Sequence, residues 1–179
     1  MMNHKIIITL LLLLTLPTTS RAWEKRIDAH GKTIIAYYAS WQWYDRNHLA
    51  KPSNLDHSKV TRYNFAFFQI NEAGDIWGTD SWADAITLYG DFDWNVSDGP
   101  YCMWNGPTAA YGGEERECAG HHYDTGLISQ AHNAGVEVYP SIGGWSLSDP
   151  FPALAANAEA RVKFAENCVK LIEEVSSQK

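Results

Sequence analysis

Strand-like and helix-like segments alternate along this chain, the pattern of βαβ units laid on a parallel sheet. Three apolar runs read as buried strands: residues 33–39 (Thr-Ile-Ile-Ala-Tyr-Tyr-Ala), the aromatic-rich residues 60–70, and residues 136–142. Asp124 is placed to cap a helix with an apolar stripe of Leu127, Ile128, Ala131 and Ala134, which Gly135 would stop. Asn157 is placed to cap a longer helix, with Phe164, Ala165, Cys168, Leu171, Ile172 and Val175 at helical spacing for packing on a sheet. Residues 46–59 show only weak helical periodicity. Residues 71–121 carry no strong periodic pattern, and a stretch of that length inside a compact domain is either functional or misread.

Residues 1–22 read as a secretion signal. His4 and Lys5 precede the apolar run from Ile6 to Leu14, and Ser20 and Ala22 offer the small residues a signal peptidase reads. The run is too short for a typical membrane span, and no later segment approaches the roughly 18 apolar residues one requires. Residues 23–179 are therefore expected to be one secreted, extracellular domain without membrane contact. The net charge of −7 argues against a nucleic-acid partner, and loss of the leader's Lys5 and Arg21 makes the remainder more acidic still. In an oxidising compartment Cys102 and Cys118, which flank a loop with Gly and Pro, are expected to form a disulfide; Cys168 falls on an apolar helix stripe as a buried thiol. Asn95-Val96-Ser97 is a glycosylation sequon in a loop-like region.

No Gly-rich phosphate loop and no Gly-x-Ser-x-Gly elbow occurs, and no cofactor is expected. His121, His122 and Asp124 do not make a convincing metal-ligand set. What stands out is the aromatic load. Eight tryptophans lie in the chain, all beyond the leader. Indole and phenol planes cover the apolar C–H faces of sugar rings, while polar groups at the edges bond the hydroxyls. Trp145 follows directly after the third strand and the Gly143-Gly144 pair, where the backbone can turn sharply and approach a ligand.

Ser141-Ile142-Gly143-Gly144-Trp145 resembles the Ser-x-Gly-Gly motif of glycoside hydrolase family 18, the chitinases. Two weaker blocks in the same order support it, Ile34 to Tyr38 and Tyr63 to Phe67, and the resemblance spans roughly residues 33–174. It implies an α/β fold, an incomplete (β/α)8 TIM barrel made of about the first three βα units, with the site at the C-terminal ends of the strands. By that resemblance Tyr37 and Ser141 would support the catalytic carboxylates, and Phe67, Trp145, Gly143 and Gly144 would line the sugar cleft. The inward faces of Tyr37, Phe65, Phe67 and Tyr139 would lack partners to cover them. The family chemistry it implies is retaining and substrate-assisted: a glutamic acid protonates the glycosidic oxygen while the substrate's own 2-acetamido oxygen attacks the anomeric carbon.

The family's catalytic Asp-x-x-Asp-x-Asp-x-Glu run follows the Gly-Gly turn on the next strand, and it does not occur here. Asp91-Phe92-Asp93-Trp94-Asn95 echoes it, but Asn95 holds the glutamate position and the segment precedes the turn. The chain departs from the family over Val175 to Lys179, where a link into a fourth strand is expected; the catalytic strand is expected just downstream in the gene. The expectation is thus the N-terminal part of a secreted hydrolase of β-1,4-linked N-acetylglucosamine polymers, with no catalytic acid of its own. The alternative is a non-catalytic protein that binds chitin or a related polysaccharide.

Overall fold

A computed structural model describes residues 31–93, 95 and 120–177. Three parallel strands form its centre: β1 (Ile35–Ala39), β2 (Arg62–Ile70) and β4 (Glu137–Ile142). β2 lies in the middle, with Ile35 beside Arg62 on one edge and Glu137 beside Arg62 on the other. The three expected strands are therefore neighbours in one parallel sheet, each beginning one or two residues later than the apolar pattern alone predicts. A short β3 (Ile76–Gly78) returns antiparallel along the end of β2, pairing Phe68 with Gly78 and Ile70 with Ile76.

Among the described residues four α-helices accompany the sheet: α1 (Ala83–Tyr89), α2 (Leu127–Asn133), α3 (Phe151–Ala156) and α4 (Ala158–Ser177). The sheet's alternation splits its side chains between two faces. Tyr38, Tyr63, Phe65, Phe68 and Val136 face the helices and pack with Leu88, Tyr89, Leu127, Leu154 and Leu171 in one core. Ile35, Tyr37 and Tyr139 point the other way and remain 49%, 66% and 45% exposed. That second face is the one a closed barrel would turn inward.

Phe65 corrects the expectation that placed it on the open face. It is 1% exposed and stacks on Tyr38, with ring centroids 5.7 Å apart. Tyr37 is in register with Asn64, so Phe65 must point away from Tyr37. Phe67 would follow Phe65 by simple alternation. The ladder instead passes from Ala66 opposite Ser141 directly to Phe68 opposite Ile142, leaving one extra residue in β2. That irregularity re-aims Phe67 onto the Tyr37 side. The Ala66–Phe67 peptide bond is cis.

Helix termini follow local hydrogen bonding. Asn157 Oδ1 accepts from the N–H groups of Glu159 (2.9 Å) and Ala160 (3.2 Å), the expected cap of α4. Asp124 does not cap α2: it lies in a 3-10 turn, Tyr123–Thr125, and Gly126 precedes the helix. Gly135 ends that segment at φ +74°, as a left-handed terminator should. The inner stripe of α4 is Ala160, Phe164, Asn167, Cys168 and Leu171, while Ala165 and Ile172 are exposed, one position off the expected set. Asn167 explains the rotation. Its buried side-chain amide donates to the Gly74 carbonyl at 2.9 Å, docking α4 on the β2–β3 turn. The approach is close enough that a Cβ on Gly74 would stand 2.4 Å from the Ala160 carbonyl oxygen. Cys168 is a free, half-buried thiol whose partial burial pushes its pKa up. No helix among the described residues is long and apolar enough to cross a membrane.

Candidate functional site

β1 and β2 run parallel and deliver their C-terminal ends to the same side of the sheet. There β1 passes straight into a 3-10 turn, Ser40–Tyr44, which presents Trp41. The Trp41 indole stacks on Phe67, centroids 5.9 Å apart and planes 21° from parallel. Phe67 in turn meets Tyr37 at 6.4 Å. Tyr37, Trp41 and Phe67 thus form one partly open aromatic surface at the strand ends. Trp41 was not picked out from the sequence, although its place two residues past a strand in a Trp-Gln-Trp-Tyr run would have marked it.

β4 brings the Gly-Gly turn to the same end. The Gly143 N–H donates to the Phe68 carbonyl at 2.8 Å, which closes the ladder, and the chain then turns at φ +86° and +127°. A Cβ on Gly143 would stand 2.7 Å from the Phe151 ring and 2.9 Å from Ser148 Oγ; one on Gly144 would touch the Phe67 ring at 3.6 Å. Ser148 Oγ locks the turn, accepting from the Gly144 N–H at 3.0 Å and donating to the Gly144 carbonyl at 2.7 Å. The two glycines therefore have a conformational reason to be there, and Gly144 also seats its backbone against Phe67. Gly143→Ala is expected to cost roughly 1–3 kcal/mol, the usual strain of a side chain held at such a φ. The shift of the urea midpoint measures it.

Trp145 follows with its side chain fully exposed. It does not join the Tyr37–Phe67–Trp41 stack but stands beyond it, past the Gly-Gly turn. Ser141 is half-buried on β4, in register with Ala66, and on the same open face as Tyr37 two strands away.

The opposite end of the open face holds charge. Arg62 grips Glu137 through Nε at 2.8 Å and Nη2 at 2.7 Å, and its guanidinium lies 4.1 Å over the Tyr139 ring. Tyr139 OH donates to the other Glu137 oxygen at 3.4 Å. Glu137 is thus a carboxylate at the start of its strand, occupied by three neighbouring contacts and distant from the aromatic end.

The acidic decoy is locally consumed. Asp91 pairs with Lys51 Nζ at 2.6 Å. Asn95, exposed, donates from its N–H and from Nδ2 to Asp93 Oδ1 at 2.9 and 2.7 Å, and these bonds hold the Asp93 carboxyl below its ordinary range. His121 is buried and donates from Nδ1 to the Gly90 carbonyl at 2.8 Å. Among the described residues no group of three His, Cys, Asp or Glu side chains is placed to hold a metal ion. Cys102 and Cys118, the expected disulfide pair, and residues 1–22, the expected secretion signal, lie outside the described residues.

The chain matches known proteins along this same stretch. The model of a family described as glycosyl hydrolases family 18 covers residues 33–177. Endochitinase 1 of Metarhizium anisopliae is 30% identical over 171 residues, 94% of this chain and 36% of the relative. Chitinase 1 of Aphanocladium album is 31% identical over 157 residues, 87% of this chain and 32% of the relative. The chain thus spans about a third of the length of these curated relatives. Among solved structures, catalytic domain 2 of an Ostrinia furnacalis Group II chitinase, in complex with penta-N-acetylchitooctaose, matches with a TM-score of 0.53 at 22% identity, over 80% of this chain and 29% of that one. An immunomodulatory active chitinase of Trichuris suis matches with a TM-score of 0.52 at 17% identity, over 81% of this chain and 31% of that one. At such identities the likeness concerns fold, and the fold is an incomplete (β/α)8 barrel. The family match runs from just before β1 through Ser177 at the end of α4, so the departure expected from Val175 does not hold over Val175 to Ser177, and the chain belongs to glycosyl hydrolases family 18.

Proposed function

We propose that this chain is the N-terminal part, residues 23–179, of the catalytic domain of a secreted chitinase, and that it supplies one wall of the cleft for β-1,4-linked N-acetylglucosamine polymers. The observation that carries the reading is the open aromatic surface at the strand ends, Tyr37, Trp41 and Phe67, with Trp145 exposed beyond it. Flat rings at this end of a βα barrel suit the C–H faces of pyranose units. Tyr37 and Ser141, on flanking strands of one face, are where groups steadying a carboxylate between them would stand. Gly143 and Gly144 would let the backbone pass close to the sugar. In the complete domain a glutamic acid would protonate the leaving oxygen and the substrate's acetamido group would displace it. Asn95 is read as glycosylated and Cys102–Cys118 as bridged, in keeping with export directed by residues 1–22.

For the 179-residue chain itself, one feature favours the second reading, a chitin-binding protein without hydrolysis. Glu137, the carboxylate on the open face, is held by Arg62 far from the aromatic surface. Both readings predict retention on chitin beads. Trp145→Ala is expected to weaken that retention by roughly 1–3 kcal/mol, the usual cost of truncating an aromatic anchor. Retention equal to the unaltered chain would remove Trp145 from the site.

A further inference from the structure

Beneath the aromatic surface lies a carboxyl group that the site, as described so far, does not use. α1 is buried on every side, and Asp84, in its first turn, is 0% exposed. Asp84 Oδ2 accepts the Asp80 N–H at 2.9 Å. It also presses on the end of β3: a Cβ on Gly78 would stand 2.3 Å from Oδ2, so the strand reaches this place only as glycine. Oδ1 is buried without a hydrogen bond of full geometry. The Ser40 side chain, fully buried, is its neighbour and bonds this carboxyl, and its hydroxyl also makes a long 3.5 Å contact with the Ala66 carbonyl.

Each group around this carboxyl leads to a ring of the surface. Ser40 opens the 3-10 turn that carries Trp41. Thr79, next to Gly78, donates its N–H to the Phe67 carbonyl at 3.3 Å. Asp80 Oδ1 receives the Trp82 and Ala83 N–H groups at the head of α1 and the Tyr44 hydroxyl from the far end of the Trp41 turn. We propose that Asp84 is a positioning residue for the aromatic surface, its carboxyl clamping the turn that carries Trp41 against the β2–β3 hairpin that carries Phe67. The proposal rests on the reading of that surface as the sugar site.

The clamp works with the proton on. A dry, unpaired carboxylate oxygen is costly, whereas a protonated carboxyl offers a donor to the oxygens around it. Burial pushes the Asp84 carboxyl up to about 7, the charge of Asp80 adding to the rise, while hydrogen bonds from Ser40, Asp80 and Thr79 partly oppose it. A carboxyl raised in the folded state leaves that state holding more protons than the unfolded chain. Its contribution is complete below the ordinary carboxylate range and is lost as pH rises through the raised value. Asp80 is the charged group facing it, Tyr44 is the titratable group on the adjoining turn, and His48 follows on the same loop.

The test labels the full chain with 5-fluorotryptophan, assigns Trp41 by Trp41→Phe, and follows its resonance from about pH 5 to about pH 9, a span that brackets so raised a carboxyl. The Trp41 signal of the unaltered chain is expected to titrate near neutrality. In Asp84→Asn, which keeps shape and stays neutral, it should hold the acid-side position throughout. Chitin-bead retention should fall several-fold across the same range in the unaltered chain and stay level in Asp84→Asn. A Trp41 signal that does not titrate, or that titrates alike in both proteins, overturns the proposal. If the signal titrates as expected but neither protein is retained at any pH, the clamp stands and the sugar-site reading falls.

Discussion

Truncating Phe65 to alanine is expected to cost about 3–5 kcal/mol of folding free energy, read from equilibrium urea unfolding. The ring is 1% exposed on the central strand, stacked on Tyr38 and in contact with Phe68 at 5.8 Å. Its neighbours cannot collapse into the gap, because Tyr38 is tied by its hydroxyl to the Ala50 carbonyl at 2.7 Å. A cavity with fixed walls forfeits both the transfer free energy of the ring and the dispersion contacts of its lining. Natural domains are stable by only about 5–15 kcal/mol, so this single change removes a large part of the whole. Phe67→Ala, two residues on, makes the control. That ring lies on the open face, partly exposed, and its loss should cost distinctly less stability while weakening retention on chitin.

Glu137→Ala is the second large effect, about 3 kcal/mol. Removing one partner of a buried ion pair costs on the order of 3–5 kcal/mol because it strands the other charge. Glu137 has only 6% of its side chain in water, but Arg62 keeps 21%, so part of the guanidinium can rehydrate and the lower end applies. The pair is not in itself a large source of stability. Replacing both residues by apolar ones of similar size should recover most of the loss, and urea unfolding of the two variants side by side checks this. The same experiment tests the place of Glu137. If it serves the start of the strand, its loss lowers stability and leaves chitin retention per folded molecule unchanged.

The parallel sheet was legible because its strands are apolar runs flanked by helical periods, and because register follows from alternation once β1 and β2 are paired. Two features were not. α1 is buried on all seven positions, so Ala83–Tyr89 has no polar face and gives no helical period. β3 has three residues and shows no pattern at all. Together they turned part of an apparently patternless stretch into the hairpin and helix that support the site. Phe65 and Phe67 look equivalent in the sequence, and only the extra residue in the ladder at Ala66 separates core from surface. The Gly143-Gly144 turn was legible as a turn, whereas its tight fit against Phe151 and Ser148 depends on α3, which sequence reading did not anticipate.

The central proposal is that this chain supplies a sugar-binding wall of a family 18 barrel and not the acid that cuts. Incubating the purified 179-residue chain with colloidal chitin, and measuring both its depletion from the supernatant and the release of soluble oligosaccharide, tests the two halves together. The account predicts depletion that Trp145→Ala reduces, with no oligosaccharide above the level of heat-denatured protein. Oligosaccharide released by the folded chain would contradict the absence of a catalytic acid, and a chain left entirely in the supernatant would contradict the sugar-binding surface.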